Sequence, residues 1–224
     1  MKIADLVPDI SVDCEVSGIA FDSRKVRVGD AFFAVPGVND DGEKYAKEAL
    51  LRGAACVVSA RAGLGHIVVP DVRKALAQAA VSYYGDPSSS LDVYAITGTN
   101  GKTTTAGIVR DIMDATGKKC GLLSTVENSF GGECIEAERT TPDAVSVQRF
   151  LASVRDGGGR AVSLEASSHA LSQSRLFGVR FTAAGFTNLS RDHLDYHNDF
   201  ESYFAAKCEL FHLPDNHVIQ PSDL

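Results

Sequence analysis

The segment Tyr94-Ala-Ile-Thr-Gly98-Thr99-Asn100-Gly101-Lys102-Thr103-Thr104 has the make-up of a loop that holds phosphate. Glycines at 98 and 101 allow a tight turn that exposes backbone N–H groups. A helix starting at Lys102 would aim the positive end of its dipole at an anion. In such a loop Lys102 reaches the β- and γ-phosphates and the Thr103 hydroxyl meets Mg²⁺. The strict Walker pattern has glycine where this chain has Ile96. The sequence contains no Asn-Lys-x-Asp segment that would read guanine, so the loop predicts ATP rather than GTP.

Two later segments concentrate acids and imidazoles: Glu165-Ala-Ser-Ser-His169-Ala-Leu171 and Thr187-Asn-Leu-Ser-Arg-Asp192-His193-Leu-Asp195-Tyr-His197. Taken alone, Glu165, Asp192, His193, Asp195 and His197 describe a divalent-ion site beside the phosphates. Oxygen-rich ligands of this kind suit Mg²⁺ or Mn²⁺. The spacing His193-x-x-x-His197 also occurs in zinc hydrolases, but the metalloprotease form needs Glu after its first histidine, and Leu194 stands there. A third reading leaves the histidines as ordinary surface residues.

Lys207 falls in an apolar stripe. A helix over Phe200–Phe211 would carry Phe200, Tyr203, Phe204, Lys207 and Phe211 on one face. Two readings follow. Either the stem is buried while the ammonium snorkels to water, or the whole side chain is buried and its pKa falls below the usual value of about 10.4. A neutral amine can react with CO₂ to give a carbamate, an anionic oxygen ligand.

Residues this far apart need a frame that gathers their loops. Val93–Thr97 reads as a buried strand, and Lys102–Thr116 as a helix with Thr105, Ile108, Val109 and Ile112 on one face. Asp143 is placed to cap a second helix whose Val147, Phe150, Leu151 and Val154 keep the same spacing. Ala161–Leu164 and Phe181–Phe186 read as further buried strands. Strand alternating with helix predicts an α/β fold with a mainly parallel sheet covered on both faces. Ligands then lie at the carboxyl ends of the strands, where these loops fall. Upstream, β-like runs at Ala55–Val58 and His66–Val69 alternate with helical stretches at Tyr45–Leu51 and Val72–Tyr83, the pattern of a smaller α/β domain. The breakers Gly85-Asp86-Pro87 and the run Ser88-Ser89-Ser90 separate the two, giving domains at 1–88 and 89–224.

Bulk properties narrow the function classes. The 224 residues are 44% hydrophobic and 23% charged, the mixture of a globular protein with a real core. Lys plus Arg number 22 against 29 Asp plus Glu, a net charge of −7, which disfavours a nucleic-acid partner. No apolar run approaches the roughly 20 residues of a membrane span. Met1–Ile10, with Lys2 as its one basic residue, does not read as a signal peptide. Cys14, Cys56, Cys120, Cys134 and Cys208 form no Cys-x-x-Cys pair. They predict reduced, buried thiols in a cytoplasmic protein rather than a disulfide framework or a zinc cage.

The loop Gly98-Thr-Asn-Gly-Lys-Thr-Thr104 resembles that of the Mur ligase superfamily, which also includes folylpolyglutamate and cyanophycin synthetases. With the segments at 165–171 and 187–197 and with Ala205-Ala-Lys207 following, the chain is more specifically similar to the UDP-N-acetylmuramoyl-L-alanyl-D-glutamate ligase branch. Members of that branch add the third amino acid to bacterial cell-wall precursors. The resemblance implies that Gly98, Thr99, Asn100, Gly101, Lys102, Thr103 and Thr104 bind ATP, and that Thr103 and Glu165 hold one Mg²⁺. It further implies that His193 and a carbamylated Lys207, with Glu165 nearby, hold a second Mg²⁺. Lys102, Glu165, His193 and Lys207 are then the catalytic set.

The same resemblance assigns the acyl substrate. In Arg139-Thr140-Thr141-Pro142-Asp143 the threonines match contacts to the muramoyl-dipeptide, with Arg139 where relatives often have Asn. Ser167, Gln173 and Arg175 match further substrate positions, and the planar fork of Arg175 suits a carboxylate or phosphate. Phe21-Asp-Ser23-Arg24, Gly29–Ala34 and Pro36–Gly42 resemble the uridine-nucleotide domain of the family. That places Ser23, Val38, Asn39 and Asp40 on the UDP end, with Val38-Asn39 where some relatives have His-Gln.

The implied reaction transfers the γ-phosphoryl of ATP to a carboxylate of UDP-N-acetylmuramoyl-dipeptide. The amine of an amino acid, diaminopimelate or lysine, then attacks the acyl phosphate. The resemblance spans nearly the whole chain but only about half of a family member. It therefore implies a further amino-acid-binding domain, from a missing C-terminal half or a partner chain. Two other classes stay open: a module that binds ATP or UDP-linked precursor without joining anything, and another superfamily ligase acting on folate or a peptide. Thr140-Thr-Pro-Asp143 and Asp192–His197 argue against the latter.

Overall fold

The computed structural model describes residues 1–213, 218 and 219, apart from Ser11, Val38, Asn39, Leu64 and Glu138. They form two compact units, Met1–Gly85 and Asp86–Leu224. The division falls between the Gly and Asp of the turn cluster at 85–87.

In the first unit the elements run α1 (Ile3–Leu6), β1 (Gly18–Ala20), β2 (Asp30–Phe33), α2 (Ala46–Leu51), β3 (Cys56–Ser59), β4 (His66–Val68) and α3 (Val72–Tyr83). The strands form a four-stranded sheet, in the order β1-β2-β3-β4 with every pairing parallel. Phe32 and Val57 pack with Ala20, Val26, Ala34, Ala46, Ala49 and Ala54 to form its small core. Asp71 starts α3, its carboxylate accepting from the amides of Arg73 at 2.9 Å and Lys74 at 3.1 Å. The stretch expected to be helical from Tyr45 begins instead as a 3₁₀ turn over Gly42–Tyr45, and α2 starts at Ala46.

The second unit runs β5 (Asp92–Thr97), α4 (Lys102–Ala115), β6 (Cys120–Leu123), β7 (Glu127–Phe130), β8 (Glu133–Glu136), α5 (Ala144–Asp156), β9 (Ala161–Glu165), α6 (Ser168–Ser172), β10 (Ala183–Phe186), α7 (Leu194–His197), α8 (Phe200–His212) and β11 (Val218–Ile219). Among the described residues the sheet has seven strands in the order β11-β10-β5-β9-β6-β7-β8. It is parallel from β11 to β6 and antiparallel across β7 and β8. Alternate residues face opposite sides, as strand geometry requires. Val93, Ala95, Leu123, Val162 and Leu164 join Val147, Leu151 and Val154 of α5 in the main core. Ile96 and Leu122 point the other way, onto Ala106 of α4. A mixed α/β fold with a mainly parallel sheet covered on both faces is the architecture expected from the alternation of elements. Asp143 caps α5 by accepting from the Ser146 amide at 2.9 Å.

Several expectations need correction. Of the apolar residues expected on the packing face of α4, Val109 packs against the sheet but Ile108 and Ile112 do not. Ile108 and Ile112 are 53% and 51% exposed, while Ala106 is fully buried. The phase of the helix is fixed by how it leaves the glycine loop, and that phase turns the small residue onto Ile96 and Leu122. On α8 the buried stripe is Tyr203, Ala206, Lys207 and Leu210, and Phe204 is 46% exposed. The β7–β8 hairpin was not anticipated, although Gly131-Gly132, both at positive φ, is a recognised two-residue hairpin signal. The cysteines are all free thiols, but only Cys56 and Cys120 are buried, and Cys134 lies exposed on β8. Among the described residues no helix is long and apolar enough to cross a membrane.

Candidate functional site

The glycine loop joins β5, the third strand from one edge of the sheet, to α4. Gly98 has φ 137° and Gly101, which starts the helix, has φ 83°. At Gly98 only glycine fits, because a Cβ there would lie 2.0 Å from Thr187 Oγ1. Ile96, where the Walker pattern has glycine, is a strand residue, buried against α4. The loop is braced from α8. Tyr203 Oη lies 3.0 Å from Thr99 Oγ1, and Lys207 Nζ donates to the Gly98 carbonyl at 2.7 Å. Lys102 Nζ folds back to the carbonyls of Gly98 at 3.0 Å and Thr99 at 2.8 Å.

Lys207 does not snorkel. Its side chain is 1% exposed, with Nζ 4.5 Å from the Tyr203 ring centroid. Burial, and then the charge of Lys102, pushes its pKa down to about 8. Burial also lowers the pKa of Lys102, against the opposing pull of Glu165 and Asp192.

Glu165 ends β9 and is fully buried. Its carboxylate accepts from the Thr125 amide at 2.7 Å and the Thr125 hydroxyl at 3.1 Å. Thr125 follows β6, so both residues stand at carboxyl ends of adjacent parallel strands, the place where ligands of such sheets sit. A pocket of about 230 Å³ opens here, lined by the loop residues Thr99 to Thr103 together with Thr125, Thr140, Glu165, Ser167, Ser168, His193 and Lys207. The expected catalytic residues Lys102, Glu165, His193 and Lys207 and the expected metal ligand Thr103 therefore border one cavity. Thr104 is exposed on the first turn of α4 and does not line it. Among the described residues no three His, Cys, Asp or Glu side chains converge as a metal site. A Mg²⁺ ion fits the donor set that is present: a fully buried carboxylate at the pocket wall with the Thr125 hydroxyl 3.1 Å from it and Thr103 lining the same pocket.

The expected acyl-side residues form one network next to this wall. Thr141 Oγ1 donates to the Glu165 carbonyl at 2.7 Å and lies 3.1 Å from Ser167 Oγ. Thr140 Oγ1 accepts from Thr125 Oγ1 at 3.2 Å. Arg175 donates to the Thr141 carbonyl at 2.7 Å and to Gln173 Oε1 at 2.7 Å. Gln173 Nε2 in turn donates to Tyr196 Oη at 3.0 Å, a residue the sequence reading passed over.

The histidines divide. His193, at φ 51°, faces the pocket, and its ring lies 4.9 Å from that of His169. His197 is 6% exposed, with Nε2 2.9 Å from Ser168 Oγ, so it is neither a surface residue nor presented for a zinc pair with His193. Burial, then neighbouring His193, lowers the pKa of both His169 and His197. Asp192 and Asp195 are exposed and do not line the pocket.

In the first unit, Ser23 is buried and its hydroxyl donates to Glu48 at 3.2 Å. Asp40 is exposed and accepts from Lys44 at 3.1 Å and from the Tyr45 hydroxyl. Val38 and Asn39 lie outside the described residues.

A glycine loop between a parallel strand and a helix, a buried carboxylate at the next strand end and two converging lysines together define a phosphate-loop α/β protein. The Mur ligase middle domain matches residues 96–223, and the Mur ligase family catalytic domain matches residues 15–84. The chain belongs to the Mur ligase family. It is 41% identical to the UDP-N-acetylmuramoyl-L-alanyl-D-glutamate–2,6-diaminopimelate ligase of Pseudomonas aeruginosa, over 96% of this chain and 46% of that protein. The ligase of the same name from Geobacter sulfurreducens is 45% identical over 88% of this chain and 40% of its own length. A solved ligase of that name superposes with a TM-score of 0.85 at 32% identity, covering 96% of this chain and 46% of that one. The MurF ligase of Thermotoga maritima, solved with ADP, shares the fold at a TM-score of 0.59 and 22% identity, covering 93% of this chain and 47% of its own. The chain spans about half the length of the curated relatives it matches.

Proposed function

We propose that this chain binds ATP and UDP-N-acetylmuramoyl-L-alanyl-D-glutamate for an amide-forming ligase that adds 2,6-diaminopimelate as the third residue of the cell-wall precursor. The observation that carries the reading is the single pocket shared by Lys102, Thr103, Glu165, His193 and Lys207, with Thr140 and Ser167 on its rim. The incoming amino acid is taken from the relatives, which are named as diaminopimelate ligases. A cytoplasmic setting, where the free thiols stay reduced, belongs to the same proposal.

A carboxylate has a poor leaving group, so it is first made into an acyl phosphate, and transfer of the γ-phosphoryl calls for positioning and charge neutralisation. Lys102 leaves the carbonyls of Gly98 and Thr99 to meet the γ-phosphate, while the amides that open α4 face the phosphate chain. Thr140, Thr141, Ser167, Gln173 and Arg175 hold the acyl substrate, with its carboxylate at the Glu165 end of the pocket. Thr103 and Glu165 would hold one Mg²⁺, and His193 with a carbamylated Lys207 a second. When bound, these ions neutralise charge on the phosphates and on the substrate carboxylate. Ser23 and the segment Val38, Asn39 and Asp40 take the uridine end.

Calorimetry with MgATP and with UDP-N-acetylmuramoyl-L-alanyl-D-glutamate, combined with hydroxylamine trapping of the acyl phosphate, tests this. Binding of both, and hydroxamate only when both are present, is expected. Binding without hydroxamate leaves a binding module, and no binding of either rejects the reading.

A further inference from the structure

In a loop that holds an anion, carbonyl oxygens must face away from the ligand, because one peptide flip would set partial negative charge against phosphate. The amides of Thr99 and Asn100 are both taken by Asn188, which leaves the amides that open α4 for the anion. The carbonyls of Gly98, Thr99 and Asn100 each accept from a side-chain donor. Those of Gly98 and Thr99 take Lys102, and Gly98 also takes Lys207. These donors are lysines that the proposed chemistry draws away. The Asn100 carbonyl differs, for it takes Thr187 Oγ1 at 2.7 Å and Asn188 Nδ2 at 3.0 Å. Neither residue has another duty in the site.

Asn188 does more than cap that carbonyl. Its Oδ1 accepts from the Asn100 amide at 3.0 Å, so the two ends of one side-chain amide hold the N–H and C=O of a single residue. Its own main-chain carbonyl accepts from the Thr99 amide at 2.8 Å. Thr187, one residue earlier, is hydrogen-bonded through its amide to the Thr97 carbonyl at 3.0 Å. The segment that follows β10 is thereby fixed to the loop along its length.

From this we infer that Asn188 is a positioning residue for the nucleotide. It holds residues 99 and 100 so that the loop keeps its carbonyls turned from the phosphates after Lys102 has moved to the γ-phosphate. The inference rests on the nucleotide-binding reading above and deepens it.

The test measures MgATP affinity of the full 224-residue chain by calorimetry, together with amide hydrogen exchange at Asn100 and Thr99 by NMR. Asn188→Ala is expected to weaken MgATP about tenfold, the effect of two lost hydrogen bonds. It should also speed exchange at Asn100 while leaving Thr99, held by a main-chain carbonyl, protected. A general loss of fold would instead release both amides. If Asn188→Ala does not fold, Thr187→Val removes the other donor to the same carbonyl and is expected to weaken MgATP about threefold. Wild-type binding with unchanged affinity in the variant that folds overturns the positioning role and leaves the nucleotide reading standing. A wild type that binds no MgATP overturns both.

Discussion

Lys102 and Lys207 deliver their ammonium groups to the same acceptor, the carbonyl oxygen of Gly98, at 3.0 Å and 2.7 Å. They come from the first turn of α4 and the middle of α8. Two cations sharing one neutral acceptor within a buried wall is an unfavourable arrangement unless a negative group enters between them. In the proposed function Lys102 leaves for the γ-phosphate and Lys207 becomes an anionic carbamate, so neither ammonium keeps this place.

Lys207→Met is therefore expected to stabilise the chain while removing nucleotide-dependent chemistry. The folded pKa of about 8 lies below the ordinary 10.5. Between those values the unfolded chain keeps a proton that the folded chain releases, so stability rises with pH across that window. The cost of the buried charge is fully present below pH 8. Denaturant unfolding at pH 7 should show Lys207→Met more stable by about 1–3 kcal/mol, and the advantage should shrink by pH 10. An equal gain at both pH values would count against a charged Lys207 in the folded chain.

Glu165→Gln keeps the shape of a side chain that accepts from the amide and hydroxyl of Thr125 but removes its charge. Its melting temperature is expected within a few degrees of wild type. The Mg²⁺-dependent part of ATP affinity should fall by about tenfold or more, the scale of a lost charge-assisted contact. Titrations with and without Mg²⁺ measure this directly. A variant in which Mg²⁺ still strengthens ATP binding as in wild type would remove Glu165 from the metal set.

Gly98 and Gly101 both have positive φ, yet only Gly98 is closely packed, against Thr187 and Asn188. Gly101→Ala carries the backbone cost alone, about 1 kcal/mol. Gly98→Ala adds a steric clash and is expected to cost roughly 2–4 kcal/mol. Urea unfolding of the two variants should rank them in that order, and the reverse ranking would falsify the packing described for the loop.

Burial, nearly complete at His197 and partial at His169, and then the neighbouring His193 hold the pKa of both histidines below the ordinary value. A lowered folded pKa means that the unfolded chain binds protons first as the pH drops through about 6.5. Stability is therefore lost on acidification from pH 7 towards 5. Replacing His197, whose Nε2 meets Ser168, by Asn should lower the melting temperature at pH 7.5 and flatten its fall towards pH 5.5. An unchanged slope would exclude His197 as a source of the acid sensitivity.

The parts of the site that sequence reveals are those encoded by contiguous motifs. Glycines 98 and 101 with Lys102 state a phosphate loop through local backbone demands, and the alternation of strand and helix states a parallel sheet. What periodicity could not give was the phase of a helix whose packing is set by its attachment. Ile108 looks like the buried face of α4, but Ala106 takes that place because the loop fixes the rotation. From its residues alone Lys207 read first as a snorkelling side chain, since its burial depends on Tyr203 and on a carbonyl 109 positions away. Thr125 was passed over because it stands in no chemical motif, and Tyr196 because the acids and imidazoles around it in its segment drew the reading. Thr125 acts through the strand next to Glu165, and Tyr196 through Gln173.

The bracing of the glycine loop bears on how the chain acquires its ligand-ready form during synthesis. The contacts that hold Gly98, Thr99 and Asn100 come from Thr187, Asn188, Tyr203 and Lys207, between 87 and 109 residues later. A growing chain thus finishes β5 and α4 long before the partners of their connecting loop leave the ribosome. Closing so wide a span is entropically slow and comes late. The proposed nucleotide can accordingly stabilise the second unit only after residues 187–207 have emerged, and until then the nascent segment folds without that help.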